Sequence, residues 1–239
     1  MLASDLSERV PGRFLIIAHK GYSSAYPENS VDAFEAAIAA GADLVEADLR
    51  ESADGAIVLS HDDVVGDKTL EQLAGNGIIP LASLLQLTEN RIVSLLDIKE
   101  SSPAFLRKIV DAVNQHDMLD QVVFGVRDVD QARDLQALSP SAVMLGLLSR
   151  AQYDFDGFYR AGGHIARLWE ADLDPSTVNA ARGDGSHPIW ITPRQGLQAT
   201  GDTDRRRQED LMRMELDGVL VNDLKSAIAV RCSFVQGSK

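Results

Sequence analysis

The chain reads as an α/β protein with a (β/α)₈ TIM barrel. Three observations predict this. About eight short apolar runs alternate with stretches of helical spacing over 239 residues, the length such a barrel needs. The first run, Arg13 to Ala18, is continuously apolar, as suits a strand buried on both faces. No glycine-rich turn follows it, which argues against a doubly wound dinucleotide-binding sheet. No Pro/Gly/Ser-rich linker or shift in composition divides the chain, so residues 1–239 are expected to form one barrel domain.

Each element has its own signal. Ser30 to Ala40 carries apolar residues at helical spacing, with Asn29 or Ser30 placed to cap it and Gly41 to end it. Leu44 to Leu49 is the second strand. Ala53-Asp54-Gly55 then supplies turn chemistry for a hairpin excursion into Ala56 to Leu59, which carries His61 and Asp62 back toward that strand. After a polar stretch, Pro80 to Leu87 is a short helix and Ile92 to Ile98 a strand. A helix over Pro103 to Asn114 precedes strands near Gln121 to Phe124, Ala142 to Leu147 and His164 to Leu168. Ile189 to Thr192 and Gly218 to Val221 complete the set, and Val129 to Leu138 and Asp204 to Met214 are the clearest helices between them.

Composition narrows the function. Hydrophobic residues make up 45% of the chain and charged residues 25%, enough apolar material for a buried core. A net charge of −13 repels nucleic acid and anionic membrane surfaces, so an anionic substrate needs a local cluster of cations or a metal. Cys232 is the only cysteine, which rules out an intrachain disulfide and fits a reducing compartment. The polar start and the shortness of the run from Phe14 to Ala18 give no signal peptide or membrane span. The expectation is a cytoplasmic protein without integral membrane association or nucleic-acid partner, acting on a small molecule.

The chemistry concentrates between His19 and Asp62. Residues two apart on a strand share a face, so Glu46 and Asp48 converge, as do Asp97 and Lys99. In a barrel such groups meet at the carboxyl-terminal mouth. On spacing alone the carboxylates read either as solvated strand-edge residues or as a hard-oxygen site for one divalent cation, Mg²⁺ or Ca²⁺. The histidines favour the second reading. His19 and His61 each end a strand-like run, and imidazoles on opposite sides of a bound phosphodiester can serve as general base and general acid, or one as nucleophile. Lys20 and Lys99 would offset phosphate charge.

Taken in order, His19-Lys20-Gly21, Pro27-Glu28-Asn29, Glu46-Ala47-Asp48, His61-Asp62 and Asp97-Ile98-Lys99 resemble the motif of the glycerophosphodiester phosphodiesterases. The likeness is densest from Ile16 to Asp62 and thins beyond Lys99. Later, Pro188-Ile189-Trp190-Ile191-Thr192 looks like the family's tryptophan-bearing strand, and Asp217 to Asp223 like its closing strand. The resemblance implies a (β/α)₈ barrel and metal-dependent release of an alcohol from a phosphodiester. It implies His19 and His61 as the acid–base pair, Glu46, Asp48 and Asp97 as metal ligands, and Trp190 as a pocket residue.

Three departures mark a divergent member. Lys20 replaces the usual Arg, a point charge in place of a planar fork. Asp97 replaces the usual Glu, as it does in the related spider sphingomyelinase D enzymes. The segment between His61 and Asp97 is short because the usual inserted subdomain is largely absent, so the leaving alcohol need not be glycerol. Two alternatives to hydrolysis follow: a lyase-like reaction giving a cyclic phosphate, or a barrel that binds a phosphodiester without turning it over.

Other residues carry plainer readings. Arg167 and Trp169 end a strand and are candidates to meet substrate, against simple surface packing. Asn29 either caps the first helix or bonds substrate. His116, His164 and His187 read as structural, and Arg205-Arg206-Arg207 as one charged helix face among acidic neighbours.

Overall fold

A computed structural model describes residues 1–150, 153–194 and 196–237. Eight parallel strands close into a barrel in the order β1 (Leu15–Ala18), β2 (Leu44–Glu51), β4 (Val93–Ile98), β5 (Val122–Val126), β6 (Val143–Gly146), β7 (Ile165–Trp169), β8 (Ile189–Thr192) and β9 (Gly218–Val221). Pairing of β9 with β1 completes the ring. The short strand β3 (Ile57–Leu59) runs antiparallel on the end of β2, which is the predicted hairpin excursion. Expected and observed strands agree to within a few residues. The polar stretch that follows folds into a 3₁₀ turn, Asp63–Asp67, and a short helix α2 (Leu70–Ala74) capped by Thr69.

Helices pack outside the ring: α1 (Val31–Ala40), α3 (Leu81–Thr88), α4 (Pro103–Gln115), α5 (Val129–Leu138), α6 (Phe155–Arg160), α7 (Pro175–Arg182), α8 (Arg205–Arg213) and α9 (Leu224–Gly237). Their start signals are local. Ser30 caps α1 by accepting the Ala33 N–H at 3.2 Å, Asp128 caps α5, and Asp174 precedes the first-turn proline of α7.

Strand periodicity separates two apolar layers. Outward residues such as Ile16, Val45, Leu96, Phe124, Leu168 and Ile191 pack under the helices, while inward residues such as Ile17, Leu44, Leu95, Val123, Leu145 and Trp190 fill the barrel. Ala3 and Leu6, from an amino-terminal 3₁₀ turn, join the interior cluster. The interior is therefore packed rather than hollow, and among the described residues its polar layer lies at the carboxyl-terminal end. Among the described residues no helix is long and apolar enough to cross a membrane.

Candidate active site

The inward parity that buries Ile17, Leu44 and Leu95 places His19, Glu46 and Asp97 one step further along their strands, and Asp48 one step beyond Glu46. Asp48 and Asp97 are register partners on adjacent strands. Ligand oxygens of Glu46, Asp48 and Asp97 lie within 4.8 Å of one another, and all three residues are buried. Glu46 and Asp97 border a cavity of about 530 Å³ at the barrel mouth, whose wall also includes His19, Lys20, His61 and Lys99.

The three carboxylates are not equivalent. Asp48 receives Lys99 Nζ on Oδ1 at 2.6 Å and Asn29 Nδ2 on Oδ2 at 3.0 Å. Burial pushes its pKa up, but Lys99, Asn29 and Lys20 outweigh it and hold the group below the usual aspartate value. Asp97 is gripped by Lys99 Nζ at 2.5 Å and by Arg127 Nη2, 2.5 and 2.8 Å from its two oxygens. Glu46 is the exception. It accepts the backbone N–H of Lys20 at 2.8 Å, yet among the described residues it has no cationic side chain within ion-pair distance. Burial first, then the charges of Asp48 and Asp97, raise its pKa well above the carboxylate norm. A buried carboxylate lacking a counter-ion, facing two others, is the charge pattern a divalent cation relieves, and three hard oxygens suit that ion. The donor set fits.

The loop between β1 and α1 builds the other side. Lys20 and Asn29 both adopt left-handed backbone conformations, φ 58° and 56°, which only surrounding contacts sustain. At Lys20 this conformation turns the N–H onto Glu46 and leaves Nζ 2.8 Å from Glu28 and 3.9 Å from Asp48. Asn29 pairs with Asp48 twice, its Oδ1 also accepting the Asp48 N–H at 3.2 Å. Its amide is thus committed to a metal-ligand candidate, and the helix cap falls to Ser30. Gly21, at φ +78°, sits against α1 where a Cβ would lie 2.7 Å from the Ala33 carbonyl carbon.

His19 is held across the barrel closure by Asn222, just past β9. Asn222 Nδ2 donates to the Thr200 carbonyl at 2.9 Å and to Asp202 at 2.8 Å, so its Oδ1 faces His19 Nδ1 at 2.8 Å. Because Oδ1 can only accept, Nδ1 carries the hydrogen and Nε2 of the neutral ring is left with its lone pair. Burial lowers the His19 pKa, and the hydrogen bond to Asn222 opposes this only in part. Gly201 makes the pair possible, since a Cβ there would fall 2.5 Å from Asn222 Oδ1 and 2.9 Å from His19 Nδ1. His61 is different: 54% of its side chain is exposed, and its Nδ1 lies 3.3 Å from Asp62.

Two further candidates are placed by β7 and β8. Arg167 lies on the cavity wall, 5% exposed, with its guanidinium 4.3 Å from the centre of the Trp169 ring. Trp190 sits a layer lower, wholly buried in the barrel interior, while Thr192 two residues on reaches the cavity. Sequence reasoning did not pick out Arg127 or Asn222 as site residues. Each stands one residue past a strand with inward parity, Arg127 after Val123 and Gly125 and Asn222 after Leu220. That count along the strand was the available signal.

Comparison with known proteins agrees with this geometry. The model of the glycerophosphoryl diester phosphodiesterase family matches residues 19–91. A glycerophosphodiester phosphodiesterase of Caldanaerobacter subterraneus is 27% identical over 252 residues, covering 90% of this chain and 96% of that protein. YhdW of Bacillus subtilis, provisionally given the same name, is 30% identical over 169 residues, 57% of this chain and 70% of its own. Among solved structures, the glycerophosphodiester phosphodiesterase of Thermotoga maritima superposes with a TM-score of 0.74 at 22% identity, covering 91% of this chain and 98% of that one. A phosphodiesterase of Oleispira antarctica, solved with the product sn-glycerol-3-phosphate, gives 0.77 at 17% identity, covering 90% and 96%. The chain belongs to the glycerophosphodiester phosphodiesterase family and is a phosphoric diester hydrolase.

Proposed function

We propose that the chain hydrolyses a glycerophosphodiester or a related small phosphodiester to an alcohol and a phosphomonoester, with a divalent cation and with His19 and His61 as the acid–base pair. The observation that carries this reading is the pairing, in one cavity, of a tautomer-fixed His19 with a buried three-carboxylate cluster whose Glu46 has no ion pair among the described residues. The Oleispira relative's bound product supports sn-glycerol 3-phosphate as the phosphomonoester.

Glu46, Asp48 and Asp97 would hold the cation, Mg²⁺ or Ca²⁺ by their oxygen donors. Bound there, such an ion supplies Lewis-acid stabilisation of the charge that develops on the phosphoryl oxygens. Lys99 and Lys20 offset the remaining phosphate charge from the cavity wall. His19 Nε2, kept deprotonated by burial, accepts the proton of the attacking water. As the bond between phosphorus and the alcohol oxygen breaks, His61 donates a proton to that oxygen, and its exposure lets it exchange protons with solvent. Asn29 positions Asp48, and Arg167 contacts the substrate. Trp190 supports the cavity from below. A cytoplasmic location is part of the proposal; the lone, exposed Cys232 supports it.

The test is a panel of glycerophosphodiesters incubated with Mg²⁺, with Ca²⁺ or with chelator, with glycerol 3-phosphate measured. Metal-dependent release is expected, and phosphorus NMR is expected to show the phosphomonoester as the final product. Release that is unaffected by chelator would refute the metal's part. A cyclic phosphate as the only product would replace hydrolysis by the lyase reaction.

A further inference from the structure

The cavity wall is more cationic than the chain around it. Lys20, Lys99, Arg127, Arg167 and Arg194 line it, in a protein whose net charge is −13. Three of these cations have carboxylate partners: Lys20 faces Glu28, Lys99 bridges Asp48 and Asp97, and Arg127 holds Asp97. Arg167 has none. Among the described residues its guanidinium forms no ion pair and no hydrogen bond, and Nε and Nη1 are buried without a partner. The Trp169 ring supports the flat face of the guanidinium, while Asp97 and Asp172 act on it only through space, beyond ion-pair distance.

Such a group is costly to maintain. A guanidinium cannot shed its charge under ordinary conditions, and burying it unpaired costs several kcal/mol in order-of-magnitude terms. Burial brings the Arg167 pKa down to about 10, still far above neutrality, so the side chain stays charged. A buried, permanently charged fork facing a ligand cavity is completed by an oxyanion from that ligand.

Its position selects which oxyanion. In the closed ring β7 stands four strands from β2 in either direction, so Arg167 lies across the mouth from Glu46 and Asp48. The scissile phosphate belongs with the carboxylate cluster, His19 and Lys99. Arg167, backed by Trp169, stands with Arg194 on the wall built by β7 and β8, where the leaving alcohol of that phosphate would extend.

Resting on the phosphodiesterase reading above, we propose that Arg167 is a specificity residue and that the preferred leaving alcohol itself carries a carboxylate or a phosphate. A neutral or cationic alcohol leaves Arg167 unpaired beneath it and is turned over less well.

The test uses four phosphodiesters that share one scissile bond: glycerophosphoserine, with a carboxylate on its alcohol; glycerophosphoglycerol phosphate, with a phosphomonoester; and glycerophosphoglycerol and glycerophosphocholine, with neither. The wild-type protein with saturating Mg²⁺ or Ca²⁺ is compared with Arg167→Met and Arg167→Lys. The wild type is expected to favour one or both anionic alcohols in kcat/KM, and which one separates carboxylate from phosphate. Arg167→Met is expected to lose on the order of 10- to 100-fold on those substrates. Its loss on the other two should be several-fold smaller, and its melting temperature should not fall, because it removes an unpaired buried charge. Arg167→Lys should recover part of the preference.

An equal loss on all four substrates by a variant that melts normally would overturn the proposal and assign Arg167 to the scissile phosphate. A wild type that cleaves the panel without preference would overturn it too. A wild type that cleaves none of the four would instead defeat the phosphodiesterase reading, and the inference with it.

Discussion

His19 can accept a proton only while its Nε2 is bare, and two features of the structure keep it so. Asn222 fixes the hydrogen on Nδ1, and burial lowers the ring's pKa, with Lys20 and Lys99 acting in the same direction against Asn222 and Asp48. Below that pKa the ring is an imidazolium and the base is lost, so the rate falls with acid. A lowered pKa moves the fall to the acid side of the ordinary value of 6.5. The acid limb of the kcat/KM profile is therefore expected to be centred below that value, and a limb centred above it would contradict the assignment. Asn222→Ala should lower kcat by about 10- to 100-fold, with a smaller change in KM, since its main effect is to free the His19 tautomer. Asn222→Asp keeps the acceptor but adds a negative charge, which favours imidazolium, so the acid limb should move to higher pH. A purely structural role for Asn222 predicts no such movement.

At the scale of elements, the site depends on one loop-to-strand contact that sequence could not disclose. Gly201 must be a glycine, for its φ of +89° and for the space that His19 and Asn222 occupy. Gly201→Ala is expected to destabilise the protein by about 1–3 kcal/mol and to cost activity out of proportion to that loss. Thermal melting alongside kcat checks both. An active, equally stable Gly201→Ala protein would show that the pair tolerates displacement. What was legible in the sequence was whatever repeats with strand periodicity: the eight barrel strands, the hairpin arm, and the inward pairs Glu46/Asp48 and Asp97/Lys99. Arg127 was not picked out: the expected strand stops at Phe124, and nothing local pairs the residue with Asp97 thirty positions earlier in the chain. The contact of His19 with Asn222 spans 203 positions and exists only because β9 closes on β1. Asn29 shows the opposite limit. Its neighbourhood reads equally well as a helix cap, and only the left-handed backbone turns its amide onto Asp48.

Taken whole, the molecule is a packed barrel whose single polar layer gathers both signs of charge in a strongly acidic chain. The acidic side of that layer fits a cation, because among the described residues Glu46 has no ion-pair partner. A cation that binds only the folded state should raise the melting temperature, by the equivalent of about 2.7 kcal/mol at a hundredfold excess over Kd. Glu46→Gln should abolish that rise while leaving the metal-free protein at least as stable as wild type, because it removes a desolvated charge. Differential scanning calorimetry with and without Mg²⁺ or Ca²⁺ reads both effects. If Glu46→Gln were stabilised by metal as much as wild type, the cation would have to bind elsewhere. The most direct measurement is release of glycerol 3-phosphate from a glycerophosphodiester panel by wild type, His19→Ala and His61→Ala, each shown to be folded, with metal and with chelator. Metal-dependent release by wild type alone, reduced by at least about 100-fold in either variant, is the expected result. Undiminished release by a folded His19→Ala or His61→Ala protein would contradict the acid–base pair on which the account rests.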